Sequence, residues 1–145
     1  MSYSRAALDA WESMFRATMT VARNLADSDA WGELSQAEYG VLYALSKEPE
    51  GVRICSLSQD VLLTQTGLSR LAARLVDKGL AKRVPDPEDG RSVLLVLTDT
   101  GREAQRRIGH IHAREITEEM TRDLSEEELE QLDALCQRLL GSDRR

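Results

Sequence analysis

Aromatic residues are scarce in this 145-residue chain, where one Phe, two Trp and three Tyr make up 4% of the total. A core must therefore rest on Leu, Val, Ile and Ala within the 41% hydrophobic fraction, a helical composition that argues against an all-β protein. Cysteine is rarer still: Cys55 and Cys136 stand far apart, without metal-ligand spacing. That disfavours a disulfide scaffold and a zinc site, and fits a reducing compartment. No run of about 18 apolar residues occurs, so no membrane span is expected. The opening MSYSRAALDAWESMF has no basic segment leading into an apolar one, so no signal peptide is expected and the cytoplasm is the expected location. Gly-rich phosphate loops, nucleophile elbows and metal-ligand clusters are missing as well, so neither an enzyme nor a cofactor is expected. His110 and His112 lie two apart, which on a helix puts them on different faces.

Net positive charge is also lacking, the formal value being −6. The charge is unevenly spread, however, and charge acts locally. Residues 53–91 carry seven Lys and Arg against five Asp and Glu, while residues 1–52 carry four against eight and residues 92–145 eight against twelve. The basic part is the middle of the chain.

Apolar residues at Leu8, Trp11, Phe15, Met19, Ala22 and Leu25 recur every three or four positions and predict a first helix over about Ser4–Leu25. Ser35 and Glu38 have capping-box spacing and open a second helix that stops before Pro49 and Gly51. A short helix is expected from Ser56, over Leu57 to about Leu63. Thr64 to Lys78 then forms an amphipathic helix, apolar at Leu68, Leu71, Ala72 and Leu75, polar at Thr66, Ser69, Arg70 and Arg74, and stopped by Gly79. Two strand-like runs, Leu80–Val84 and Ser92–Thr98, flank the turn-rich Pro85-Asp86-Pro87-Glu88-Asp89-Gly90-Arg91. A long helix follows from Thr98 or Asp99 to about Met120. Ser125 and Glu128 open a last helix with a seam of Leu129, Leu132, Leu135, Cys136, Leu139 and Leu140.

A short helix, a turn, a helix with one polar face and a hairpin with a charged tip outline a winged helix-turn-helix. The second helix of such a unit can lie in the major groove, and the hairpin can offer arginine to the narrow, negative minor groove beside it. The run LSRLAARLVDKGLAKRVPDPEDGRSVLLVLTDTGR, with its Asp89-Gly90-Arg91 tip and Leu97-Thr98 strand end, resembles the recognition helix, wing and exit helix of the MarR (multiple antibiotic resistance regulator) family. The likeness extends from about Trp11 to Leu140.

That resemblance implies one mainly helical domain with a small β-hairpin wing, its winged helix-turn-helix lobe at about 35–98 and dimerisation helices at about 1–30 and 99–145. It implies that Gln65, Thr66, Ser69, Arg70 and Arg74 face double-stranded DNA, that Arg91 is the minor-groove arginine, and that Asp89 holds the backbone or guanidinium of Arg91. A homodimer would present two recognition helices to a palindromic operator, as a repressor released when a small aromatic or acidic effector binds. The implied effector pocket lies between the first helices and the DNA-binding lobe, where Trp11, Phe15, Arg16, Tyr39, Tyr43 and His110 are candidates. Cys55, read as a buried thiol, is expected to be inert. The rival reading is a winged-helix module for protein contacts or chromosome architecture, without operator specificity.

Overall fold

The computed structural model describes residues 2–57 and 65–141, without the side chains of Gln65 and Thr66. Among the described residues the elements are α1 (Arg5–Ala26), a 3-10 turn (Asp29–Trp31), α2 (Gln36–Ser46), β1 (Val52–Arg53), α3 (Ile54–Leu57), α4 (Gln65–Asp77), β2 (Ala81–Pro85), β3 (Val93–Leu97), α5 (Asp99–Thr121) and α6 (Glu126–Gly141). The class is the expected one, mainly helical with a small antiparallel sheet. No described helix is long and apolar enough to cross a membrane. The chain divides into two compact units, Ala26–Ile111 and Met1–Leu25 with His112–Arg145.

Helix starts follow the capping chemistry. At α6 the box is complete: the Glu128 N–H donates to Ser125 Oγ at 3.2 Å, and the Ser125 N–H donates to Glu128 Oε1 at 3.1 Å. At α2 only half of it forms. Ser35 Oγ accepts the Glu38 N–H at 3.0 Å, but the buried Glu38 carboxylate turns to Lys78 Nζ at 2.8 Å. This ion pair ties α2 to the end of α4. Gly79, at φ 73°, closes α4 with the paired bonds Gly79 N–H to Val76 O and Leu80 N–H to Leu75 O. A left-handed residue at that position is where glycine costs least.

Two expectations need correction. The third helix starts at Ile54, so Ser56 lies inside it, and its expected continuation over 58–63 lies outside the described residues. The sheet has three strands in the order β1-β3-β2, because Val52 and Arg53 pair with Leu95 and Leu94. Two residues are too few to show alternation in a sequence.

The core of the central unit takes Val41, Leu42 and Leu45 from α2, Leu57 from α3, Leu68, Leu71, Ala72 and Leu75 from α4, and Ala81, Leu95 and Leu97 from the sheet. Beside it Trp31, Tyr39 and Ile108 form a second small cluster. The other unit has little core of its own. Leu25 is the buried residue of α1, and α6 has none, while Trp11 is 62% and Leu135 56% exposed. Within this unit Asn24 donates to Glu119 at 2.6 Å, and Arg122 pairs with Glu119 at 3.0 Å.

At the junction between α4, the sheet and α5 the chain comes into close backbone contact. Thr98 Oγ1 donates to Gly79 O at 2.6 Å and accepts the Gly101 N–H at 3.0 Å, and the Thr98 N–H donates to Leu80 O at 3.1 Å. A Cβ at Gly101 would stand 1.8 Å from Leu80 O, a backbone atom that cannot swing aside. Gly101→Ala is therefore expected to lower stability by about 1–3 kcal/mol, the usual cost of overpacking. Urea unfolding measures it, and an unchanged midpoint would mean that the approach of α5 to Leu80 is looser than described.

Candidate nucleic-acid interface

Burial of one face of α4 dictates the other. With Leu68, Leu71, Ala72 and Leu75 at 7% exposure or less, the three-to-four residue period leaves Ser69, Arg70 and Arg74 exposed, with Ala73 half-buried between them. Gln65 and Thr66 belong to the first turn of the same helix, but their side chains lie outside the described set. A face of small and cationic groups above a sealed apolar one presents donors and little bulk.

Strands β2 and β3 pair from Ala81↔Leu97 to Pro85↔Val93 and carry the turn beyond Pro85. At its tip Asp89 organises the chain: Oδ1 accepts the Arg91 N–H at 3.0 Å, Oδ2 accepts the Ser92 hydroxyl at 3.2 Å, and its carbonyl accepts the Ser92 N–H at 2.9 Å. The described bonds of Asp89 thus reach the Arg91 backbone. Lower in the wing, the Asp86 N–H donates to Ser92 O at 3.1 Å, and Asp86 Oδ1 accepts the Glu88 N–H at 2.9 Å. Asp86 Oδ2 accepts Arg53 Nε at 2.8 Å and faces Arg53 Nη2 at 2.6 Å. The Glu88 N–H and the Arg53 guanidinium hold the Asp86 carboxyl below the usual carboxylate range.

The cations on and around α4 and the wing fall into two groups. Arg53 and Lys78 are committed to the buried carboxylates Asp86 and Glu38. Among the described residues, no ion pair engages Arg70 or Arg74 on α4, or Lys82, Arg83 or Arg91 on the wing, and all five are exposed. Unpaired cations on a protein of net charge −6 mark a surface suited to a polyanion. Sequence reasoning passed over Lys82 and Arg83, although the alternation of β2 puts neighbouring side chains on opposite faces. It also missed Arg53 and its bond to Asp86, 33 positions away, for which a single sequence carries no signal.

The candidate effector residues are distributed over both units. Trp11 and Phe15, with ring centroids 6.0 Å apart, and Arg16, 3.9 Å from Glu12, belong to α1. Tyr39, Tyr43 and His110 belong to the central unit: Tyr39 is buried, 5.2 Å from Trp31 and 6.4 Å from Tyr43, while His110 is exposed. A groove of about 890 Å³ in that unit is lined by Tyr43, Lys47, Arg53, Asp86 and Glu88 among others. Of the six candidates, Tyr43 alone lines it. Cys55 is exposed and not buried as expected, because Leu57 takes the buried side of α3 and a residue two positions earlier in a helix faces the other way.

Comparison with known proteins matches residues 33–92 to the model of the MarR family. The multiple antibiotic resistance protein MarR of Escherichia coli K12 is 33% identical over 73 residues, covering 50% of this chain and 51% of the relative. The chain thus matches about half the length of that curated relative. Across nearly the whole chain the fold is similar to that of Sco3205, a MarR family transcriptional regulator from Streptomyces coelicolor solved in complex with DNA. The TM-score is 0.80 and the identity 23%, over 99% of this chain and 92% of that one. It is also similar to the PcaV transcriptional regulator of the same organism, solved in complex with its natural ligand, with a TM-score of 0.68 and 25% identity over 99% and 100% of the two chains.

Proposed function

We propose that this chain, whose segment 33–92 matches the model of the MarR family, is a homodimeric, sequence-specific DNA-binding regulator of that family that represses from a palindromic operator. The observation that carries this reading is the set of exposed cations on α4 and the wing without a described ionic partner. The solved DNA complex of Sco3205 supports it. In this reading α4 enters the major groove, with Gln65, Thr66 and Ser69 toward base edges and Arg70 and Arg74 toward phosphate. Arg91 enters the minor groove, and Asp89 sets its backbone.

The chain acts as one functional domain in the cytoplasm, as a regulator and not an enzyme, its lobe of about 35–98 flanked by dimerisation helices at about 1–30 and 99–145. The apolar residues of α1 and α6 become the core of a dimer, since an exposed surface of this kind on a lone chain would aggregate. A small aromatic or acidic effector that favours a recognition-helix spacing unsuited to the operator releases the DNA by its differential affinity for the two states. The solved complex of PcaV with its natural ligand supports an effector of some kind, for which Trp11, Phe15 and Arg16 remain the candidates on α1.

Fluorescence anisotropy tests the roles, with a duplex enriched by the wild-type protein from a random-sequence pool and a scrambled control, each titrated over a range of salt. Arg91→Ala is expected to weaken the enriched duplex by about 1–3 kcal/mol, with the melting temperature unchanged. Arg70→Ala should weaken both duplexes and lower the salt slope by about one unit, whereas Gln65→Ala and Thr66→Ala should mainly reduce the preference between them. An Arg70→Ala protein that keeps its affinity for scrambled DNA but loses all preference would reverse the roles along α4.

Light scattering without DNA tests the dimer. The mass of two chains is expected at micromolar concentration, and the mass of one chain contradicts the reading.

A further inference from the structure

The bonds of the wing run in an unbroken series from the body of the lobe to its tip. Arg53 lies in β1, immediately before α3, and is fixed there by pairing with Leu94. Its Nε and Nη2 both reach one oxygen of Asp86, whose other oxygen accepts the Glu88 N–H. The Asp86 N–H holds Ser92 O, Ser92 returns its N–H and hydroxyl to Asp89, and Asp89 Oδ1 holds the Arg91 N–H. We propose that Arg53 is a positioning residue for DNA binding: anchored on the buried Asp86 carboxylate, it fixes the turn that carries Arg91 before DNA arrives. This rests on the reading of the wing as a DNA-contacting element.

Three observations support that role over a phosphate contact by Arg53 itself. Two of its nitrogens are already committed, at 2.6 and 2.8 Å. The acceptor side chain is only 5% exposed, against 42% for Arg53, so little water is present to compete for the carboxylate. Asp86 also bonds the turn at two further points, so loss of the guanidinium leaves a buried charge next to the segment that must stay ordered. The base of the β2–β3 ladder is held by the core through Ala81, Leu95 and Leu97, whereas toward the turn, at Leu94, the pairing with Arg53 of β1 joins the ladder to the strand that leads into α3. Ordering the wing in advance removes a cost that binding would otherwise bear.

The test combines hydrogen exchange on the free protein with a double-mutant cycle on the enriched duplex. Arg53→Gln is expected to speed amide exchange at Glu88, Arg91 and Ser92 but not at Leu95, and to weaken binding about tenfold, within the range set by Arg91 itself. In an Arg91→Ala background the same substitution should cost less than about twofold, because its effect passes through Arg91. Arg53→Lys, which keeps the charge, should restore most of the affinity and serves as the folded reference. Equal losses in the two backgrounds would make Arg53 a direct DNA contact and overturn the proposal, as would unchanged exchange at the turn. Should the wild-type protein bind no duplex at all, the DNA reading of the wing fails, and the anchoring is then judged by exchange alone.

Discussion

Sealing the Leu68–Leu75 face of α4 against α2, α3 and the sheet is the constraint from which the rest of the interface follows. An amphipathic helix has one rotational setting once that face is buried, and Ser69, Arg70 and Arg74 are then outward by geometry. The axial setting is fixed separately, at the far end of the helix. There Gly79 stops it, Thr98 grips the Gly79 carbonyl, and α5 approaches the Leu80 carbonyl so closely that only glycine fits at position 101. Rotation and translation of the polar face are thus both specified by groups that play no part in recognition.

The same division of labour holds in the wing. The buried Asp86 and the half-buried Asp89 accept from backbone amides, and Asp86 also from the half-buried Arg53, while Lys82, Arg83 and Arg91 are exposed without a described ion pair. A charged side chain that already has a buried partner contributes to order, and one that lacks it is available to an outside polyanion. Total charge hides this distinction, since the chain is acidic overall while α4 and the hairpin together present five exposed cations, Arg70, Arg74, Lys82, Arg83 and Arg91, without a described ion pair.

Much of the architecture was legible in the residues because local chemistry decides it. Gly79, Ser125 with Glu128, the period of α4 and the Pro-Asp-Gly-rich turn each act over a few positions, and the elements they specify stand where expected. What escaped depends on contacts between distant residues. Glu38 has the spacing of a capping residue yet bonds Lys78, because burial beside α4 offers it a cation in place of an amide. β1 exists only because β3 is there to pair with it, and Arg53 finds Asp86 only after both strands are in register. Ser69, Arg70 and Arg74 are exposed on α4 as its period dictates, and Arg91 is exposed at the tip of the wing, where the half-buried Asp89 accepts its N–H. The effector candidates rest on a pocket position implied by the family resemblance and on residue type, neither of which distinguishes the buried Tyr39 from the exposed Trp11.

Sequence selectivity is the central claim, since a basic surface alone would hold any duplex. The most direct measurement is the ratio of affinities for the enriched and the scrambled duplex at one physiological salt concentration. The account predicts a ratio of about 10³ or more, in the range of specific regulators. A ratio near one, with affinity set by salt alone, would contradict it and leave a winged-helix module that binds DNA for architecture.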